Sequence, residues 1–265
     1  MLSYQHIYHA GNLADVHKHA LLAVMLDYMT RKEKPLSYLE THSGRGLYAL
    51  DAAEAVKTGE AAAGIGRVEK LGWFPPAHPY ARALAAVRTA HGGRAYPGSP
   101  LIAANLLRPI DSIQLCELHP REFEALRAAM APFGGVLHHK DGLEMVHALT
   151  PPTPRRGLLL IDPSWEVKSD YETIPKVLGQ VARKWNVGVI ALWYPVLAPT
   201  VAVAPAQAAM VRALMAAHPE ALLSEVRFPP AREGHGMIGS GMFVLNPPWG
   251  LGDEANRLAK LFRSL

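Results

Sequence analysis

The sequence predicts an α/β fold built on a mostly parallel sheet, and three observations carry that prediction. Short apolar runs recur along the chain, each closing on polar or turn residues: SYLET at 37–41, SIQLCE at 112–117, VLHH at 136–139, LLLID at 158–162 and VGVIALWY at 187–194. Between most of them lie helical patterns, as at 121–130 and 143–149, and strands alternating with helices imply parallel pairing with ligands at the carboxyl ends of the strands. The last two runs, LLSEVRF at 222–228 and GMFVLN at 241–246, have no helical pattern between them and are expected to form an antiparallel hairpin at the sheet edge.

The elements can be justified in order. Asn12 is placed to cap a helix with Asp15 three residues on, after which Val16, Ala20, Leu21, Val24, Met25 and Tyr28 recur at helical spacing until about Arg31. Lys18 falls two residues from both Val16 and Ala20, hence off that apolar face. The stretch from Tyr48 to Tyr96 is too long for a connection and is rich in alanine, glycine and short helical patterns, so residues 50–95 are expected to be a helical insertion within a single domain spanning 1–265. From Val187 to Val211 the chain carries no charge, but Pro195, Pro199 and Pro205 would interrupt a membrane helix, and a buried strand followed by a loop and a short helix accounts for it.

Composition narrows the class. With 265 residues and 49% hydrophobic content the chain can bury a substantial core. One cysteine, Cys116, cannot pair within the chain, and MLSYQHIYHAGN lacks the basic-then-apolar pattern of a secretory signal, so a reducing, cytoplasmic setting is expected. A net charge of +4, with 13 histidines, allows local basic faces and a nucleic-acid partner without establishing one.

Candidate chemistry gathers at the strand ends. In THSGRGLYA, 41–49, Gly44 and Gly46 would let backbone amides approach a ligand closely. The letters also fit a dinucleotide fingerprint, Gly44-x-Gly46-x-x-Ala49, but no strand closes on an acid about 20 residues later, and a plain turn is an equal reading. Glu117, Asp141 and Asp162 close the next three strands; each alone reads as a solvated acid at a turn, and together they point to a nucleotide-like ligand, with Glu117 suited to the two hydroxyls of a ribose. Ser99-Pro100 reads as a cap and first-turn pair, a helix start able to hold a carboxylate.

The stretch GLLLIDPSWEVKSDY, 157–171, allows two readings. The nitrogen lone pair of a nucleobase amine is delocalised into the ring, and two acceptors drawing on its N–H hydrogens make it available. Asp162 and the carbonyl of Pro163 could serve, with Trp165 stacking on a flipped-out base. The alternative is a strand ending at Asp-Pro with Trp165 packed in the core. Asn246-Pro247-Pro248-Trp249 competes for the same role, although it follows the terminal hairpin strand and so lies away from the glycine loop. Histidines 6, 9, 17 and 19 suggest a metal only superficially, since His17 and His19 point apart on the predicted helix and nothing completes a tetrahedron.

Taken together, MLSYQHIYHAGNLADVHKH, YLETHSGRGLY, AYPGSPLIA, QLCELHP, KDG, RGLLLIDPSWEVKSDY, ALWYPV and GSGMFVLNPPW resemble, over almost the whole chain, the RlmJ-type adenine-N6 methyltransferases of large-subunit (23S) ribosomal RNA. The resemblance implies a Rossmann-like fold with seven sheet strands and an inserted helical subdomain, S-adenosylmethionine as methyl donor and no metal. It places Lys18, His19, His42, Ser99, Glu117, Asp141, Gly142 and Asp162 around the donor, and Tyr4, His6 and Lys18 near the target base. Asp162 becomes the catalytic acid, acting with Pro163 and Trp165. The expected partner is ribosomal RNA, protein-free or early in assembly, and the expected state a monomer without membrane attachment. Two departures stand out: the family usually has Asp-Pro-Pro-Tyr where this chain has Ser164 and Trp165, and APTVAVAPAQAAM at 198–210 is apolar where the family tends to be polar and basic. Three rivals follow: an adenine-N6 methyltransferase of DNA, a non-catalytic RNA-binding or assembly protein retaining the fold, and a nicotinamide oxidoreductase.

Overall fold

A computed structural model describes residues 5–230, 234 and 236–265. After a short 3-10 turn at His6–Tyr8, α1 (Leu13–Thr30) leads into β1 (Ser37–Glu40). A two-stranded ribbon, β2 (Leu47–Ala49) against β3 (Ala95–Pro97), brackets α2 (Ala53–Thr58), α3 (Glu60–Ala63), α4 (Ile65–Lys70) and α5 (Pro79–His91). Then come α6 (Ser99–Leu106), β4 (Ser112–Cys116), α7 (Pro120–Met130), β5 (Val136–His138), α8 (Gly142–Leu149), β6 (Gly157–Ile161) and α9 (Asp170–Lys184). The chain closes with β7 (Val189–Leu197), α10 (Ala204–Ala217), β8 (Leu222–Arg227), β9 (Met237–Leu245) and α11 (Leu251–Phe262).

Seven strands form one sheet in the order β5-β4-β1-β6-β7-β9-β8. The first five pair in parallel, and β9 lies antiparallel between β7 and β8. This is the Rossmann-like arrangement of S-adenosylmethionine-dependent methyltransferases, and each of the seven apolar runs is a strand in it. The last two runs do pair with each other; the later one inserts inside and leaves β8 at the edge. Chain order reverses between β1 and β6, which opens a crevice at their carboxyl ends where ligands of such sheets bind. The ribbon β2–β3 was not legible in the sequence, because three-residue strands containing a proline give no usable alternation.

Local chemistry explains the element ends. Asn12 accepts the Asp15 N–H at 2.9 Å and starts α1 as its spacing predicts. β7 continues through Pro195, which is tolerated because β6 stops opposite Leu192, so no donor is needed on that side of the strand.

α1 departs most from the amphipathic expectation. It packs against α5, α6, α11 and β9, and Val16, His17, Lys18, His19 and Ala20 are all buried. Its polar residues must therefore find internal partners. The His17 ring nitrogens lie 2.9 Å from Ser240 Oγ and 3.0 Å from Ser224 Oγ, while His19 Nδ1 meets the Tyr96 hydroxyl at 2.9 Å.

Burial pushes His17 down to about 3 despite the opposing pull of Glu254, and His19 down to about 3 despite Asp15. Both are neutral in the fold at pH 7 and titrate near 6.5 when unfolded. The unfolded state therefore binds more protons below pH 6.5, and stability is lost as pH falls from there towards 3. Urea unfolding at pH 7.5 and pH 5.0 checks this: each histidine is expected to contribute a loss of about 2 kcal/mol at pH 5.0. Coincident midpoints at the two pH values would remove the assignment of neutral, buried histidines.

Candidate active site

A cavity of about 640 Å³ opens over the carboxyl ends of β1, β4, β5, β6 and β7, within the size range of small-molecule sites. Thr41, His42 and Ser43 enter it after β1, Glu117 after β4, Asp141 and Gly142 after β5, and Asp162, Pro163 and Trp165 after β6. From the other side α1 supplies Asp15, Lys18 and His19, and Ser99 enters from the start of α6. His6 lines it too. The residues expected at the donor, the base and the methyl transfer thus all line one cavity, except Tyr4, which lies outside the described residues.

The centre of the site is an ion-pair chain. Lys18 Nζ donates to Asp162 Oδ2 at 2.6 Å and lies 3.1 Å from Asp15 Oδ1; Asp15 Oδ2 in turn meets His6 Nε2 at 2.8 Å and accepts the Gly11 N–H at 2.9 Å. The expectation that Lys18 stands off the buried face is corrected here: it is 4% exposed because neighbouring elements cover α1 beyond its apolar face. Burial alone would lower its pKa, yet Asp162 and Asp15 together raise it, so the ammonium is fixed. For Asp15, burial opposes ionisation, but His6, Lys18 and His19 hold its carboxyl well below the usual carboxylate range.

The carboxylates at the neighbouring strand ends are set up differently. Glu117 Oε2 accepts the Gly44 N–H at 2.8 Å and its Oε1 the His119 N–H at 2.7 Å, while burial raises its pKa. Gly44 has φ +59, and a Cβ there would meet the Tyr48 hydroxyl at 2.7 Å, so the loop needs glycine for conformation and for space. Asp141 caps α8 by accepting the N–H groups of Leu143 and Glu144. Gly142 packs directly on β1, since a Cβ there would lie 1.9 Å from the Thr41 carbonyl oxygen. Half-buried His42 accepts or donates at Thr41 Oγ1, 2.7 Å away, and burial lowers its pKa.

Ser99 needs a correction. Gly98 is the N-cap of α6 and Ser99 is its first helical residue, whose hydroxyl donates to Glu40 rather than capping the helix. Glu40, at the end of β1, was not singled out in the sequence. Burial pushes it up to about 8 against the Ser99 and Tyr38 hydroxyls bonded to it. Asp15 was likewise read only as a capping partner, although its spacing to Lys18 (i+3) and His19 (i+4) gave a signal of the cluster.

Trp165 is 7% exposed and lines the cavity while also belonging to the core. Its ring stacks on Tyr171 with centroids 4.8 Å apart, and its Nε1–H donates to the Trp193 carbonyl at 3.2 Å. The core-packing reading of this tryptophan therefore holds, and the same residue borders the cavity. The competing tetrad is placed elsewhere: β9 runs antiparallel and Leu245 pairs with Ile190 near the start of β7, so Asn246–Trp249 falls at the amino edge, opposite the cavity. Among the described residues no group of three or more His, Cys, Asp and Glu side chains is arranged to hold a metal.

A family model described as Ribosomal RNA large subunit methyltransferase D, RlmJ, matches residues 33–264. The chain belongs to the RlmJ family. It is 38% identical over 261 residues to Ribosomal RNA large subunit methyltransferase J of Escherichia coli (strain K12), covering 97% of this chain and 91% of that protein. It is 40% identical over 257 residues to the protein of the same name from Haemophilus influenzae, covering 95% and 89%. A solved structure from Legionella pneumophila str. Philadelphia 1 is 34% identical and superposes with a TM-score of 0.84 over 97% of this chain and 93% of that one. For this RlmJ-family chain the matched residues take in the cavity lining from Thr41 onwards, while His6, Asp15, Lys18 and His19 precede them.

Two stability measurements test the site's construction. Lys18→Met leaves two buried carboxylates facing each other and is expected to cost about 3 kcal/mol; in an Asp15→Asn background the same change is expected to cost at least about 1 kcal/mol less, a coupling read from a urea double-mutant cycle. Additive losses would show that the three groups do not act as a unit. Gly142→Ala, which pushes a methyl into the Thr41 carbonyl, is expected to cost about 2 kcal/mol in the same assay.

Proposed function

We propose that this RlmJ-family chain transfers a methyl group from S-adenosylmethionine to the exocyclic N6 amine of an adenine in large-subunit (23S) ribosomal RNA, on a base flipped out of its helix. The observation that carries the reading is the convergence of Asp162, Pro163 and Trp165 on the cavity that also holds Glu117, Asp141 and the Gly44 loop. The residues present fit such a donor. The acids after β4 and β5 sit where a ribose and a base amine need acceptors. When bound, the donor supplies an electrophilic methyl on a sulfonium whose leaving group departs neutral.

The protein's own part is alignment and acceptance. Asp162, anchored through Oδ2 by Lys18, has Oδ1 to accept one N–H of the amine, and the Pro163 carbonyl takes the other; both draw the lone pair towards the incoming methyl. Trp165, locked by Tyr171 and the Trp193 carbonyl, gives the base a fixed wall rather than a mobile ring. His6 and Lys18 close the cavity from the N-terminal side. Lys18, His19, His42, Ser99, Glu117, Asp141, Gly142 and Asp162 are assigned to the donor, His6, Lys18 and Tyr4 to the RNA.

We further read residues 1–265 as one methyltransferase domain with 50–95 inserted in it, supported by a shared core in which Ile65, Val68, Tyr80 and Leu84 join Leu115 and Leu158. The protein is read as a cytoplasmic monomer acting on RNA that is protein-free or early in assembly; among the described residues no helix is long and apolar enough to cross a membrane.

Tritiated-methyl transfer to unmodified large-subunit RNA, followed by digestion to locate the base, tests the function. Wild-type protein is expected to label N6 of adenine in RNA and not in duplex DNA. Asp162→Ala is expected to reduce transfer by at least about 10²-fold. Binding of donor and RNA without transfer, unchanged in Asp162→Ala, would make the chain an assembly protein instead.

A further inference from the structure

The tetrad Asn246-Pro247-Pro248-Trp249 is not used by the cavity, yet its tryptophan is 80% exposed, the largest exposure among the large hydrophobic side chains described. It stands at the amino edge of the sheet, held there by Asn246, which is itself at φ +51 and whose side-chain amide donates to the carbonyls of Asn186 at 3.1 Å and Gly188 at 2.8 Å. Val187, in the turn so gripped, is 57% exposed. An exposed indole on a turn fixed from both sides is a platform rather than a loose loop tip.

The same edge concentrates positive charge. Loops entering the three adjacent strands β4, β1 and β6 carry Arg108, Lys32 and Lys34, then Arg155 and Arg156. Arg183 and Lys184, at the end of α9, complete the row. Only Glu33 and Asp111 oppose these seven cations, and Asp111 is spent on Arg108 at 2.8 Å. Since the whole chain nets +4, the rest of it is close to neutral, and this edge carries the excess.

Backbone carbonyls knit the row together. Arg108 donates to those of Lys32 and Lys34, Arg156 to Lys34 at 2.9 Å, and Arg155 to Lys184 at 3.3 Å. The lysine ammoniums at 32 and 34 and the side chains at 155 and 183 are left facing solvent. Beyond β7 the edge turns acidic, with Glu220 before β8 and Asp253 in α11, so Trp249 sits at the end of the basic row.

We propose that this amino edge is a second RNA-contact surface, in which the basic row follows a phosphate backbone and Trp249 stacks on an unpaired base. The inference rests on the RNA-methyltransferase reading above. A cationic track ending in an exposed aromatic suits single-stranded or looped RNA, because phosphates meet the charges and any base has a face to stack. It lies a strand length, about 17 Å, behind the cavity, so only an RNA extending well beyond the target adenine reaches both.

The test compares wild type with Trp249→Ala and with Lys32→Glu/Arg155→Glu/Arg183→Glu, none of which touches the cavity. Two probes are used: the full-length unmodified large-subunit transcript, and the shortest fragment of it that is still methylated. Kd by filter binding and KM for the transcript are expected to rise about tenfold in each variant, with kcat unchanged and the fragment unaffected. The triple variant is also expected to show a shallower dependence of log Kd on log salt, by about one for each phosphate it no longer neutralises. Equal values for variants and wild type on the transcript overturn the proposal, as does an equal rise on both probes. Sedimentation of wild type with phosphatidylglycerol vesicles, abolished in the triple variant while transcript Kd stays put, assigns the edge to a membrane surface and overturns it too. Wild type that binds the transcript but methylates nothing defeats the functional reading and leaves filter binding to decide this one.

Discussion

The structure depends on one buried cation. Lys18 reaches from α1 across to the end of β6 and is held between Asp162 and Asp15. Removing an ammonium from water costs several kcal/mol, and a single carboxylate in such surroundings offsets that only with excellent geometry. Two carboxylates, one at 2.6 Å, make the burial tolerable, and each needs the lysine in turn. The consequence is mechanical as much as electrostatic. The helix bearing the N-terminal segment and the strand end bearing Asp162 are pinned to each other, and with them His6 through Asp15.

Around this cation the site separates charged from neutral groups. His19, one residue on, is kept neutral by burial although Asp15 is 3.8 Å away, because a second cation beside Lys18 would have no counter-charge left. Glu40, on the strand next to Asp162, is pushed the other way: burial and the Asp162 charge favour its protonated form. Two carboxyls on adjacent strand ends thus stand in different surroundings, Glu40 closed in and accepting the Ser99 and Tyr38 hydroxyls, Asp162 paired with Lys18 and facing the cavity. The carboxyl groups lining the cavity lie on both sides of it, Asp162, Asp141 and Glu117 at the strand ends and Asp15, Glu122 and Asp170 on helices.

Much of this was legible in the sequence because the signals are local. Apolar runs ending in acids gave the strands and their carboxyl ends, and the parallel order then brought Glu117, Asp141 and Asp162 to one edge. Asn12 was readable as a cap from three residues of spacing. What escaped was decided by tertiary cover. The α1 pattern has an apolar face, but α5, α6, α11 and β9 enclose the rest, so Lys18, His17 and His19 are internal despite their chemistry. No window of sequence reports that a polar helix face is covered, since β9 and α11 come from the opposite end of the chain. Ser99 failed for a smaller reason: one residue of shift in the helix start turned an expected cap into a donor to Glu40.

The departure of the tetrad from Asp-Pro-Pro-Tyr also finds its physical account. A second proline would fix φ at 164, and serine does not. The turn is instead held one residue later, where Trp165 adopts φ +59, a left-handed conformation that costs a bulky residue about 1–2 kcal/mol. It persists because three contacts over-determine it: the stack on Tyr171, the Nε1–H donated to Trp193 and burial of the ring in the core formed with Ile174 and Leu192. Tyrosine has no ring N–H with which to make the same bond, so Ser164 and Trp165 read as one linked change, rigidity moved from a pyrrolidine ring to an indole. The side chain that lines the cavity is thereby the same one that locks the turn carrying Asp162.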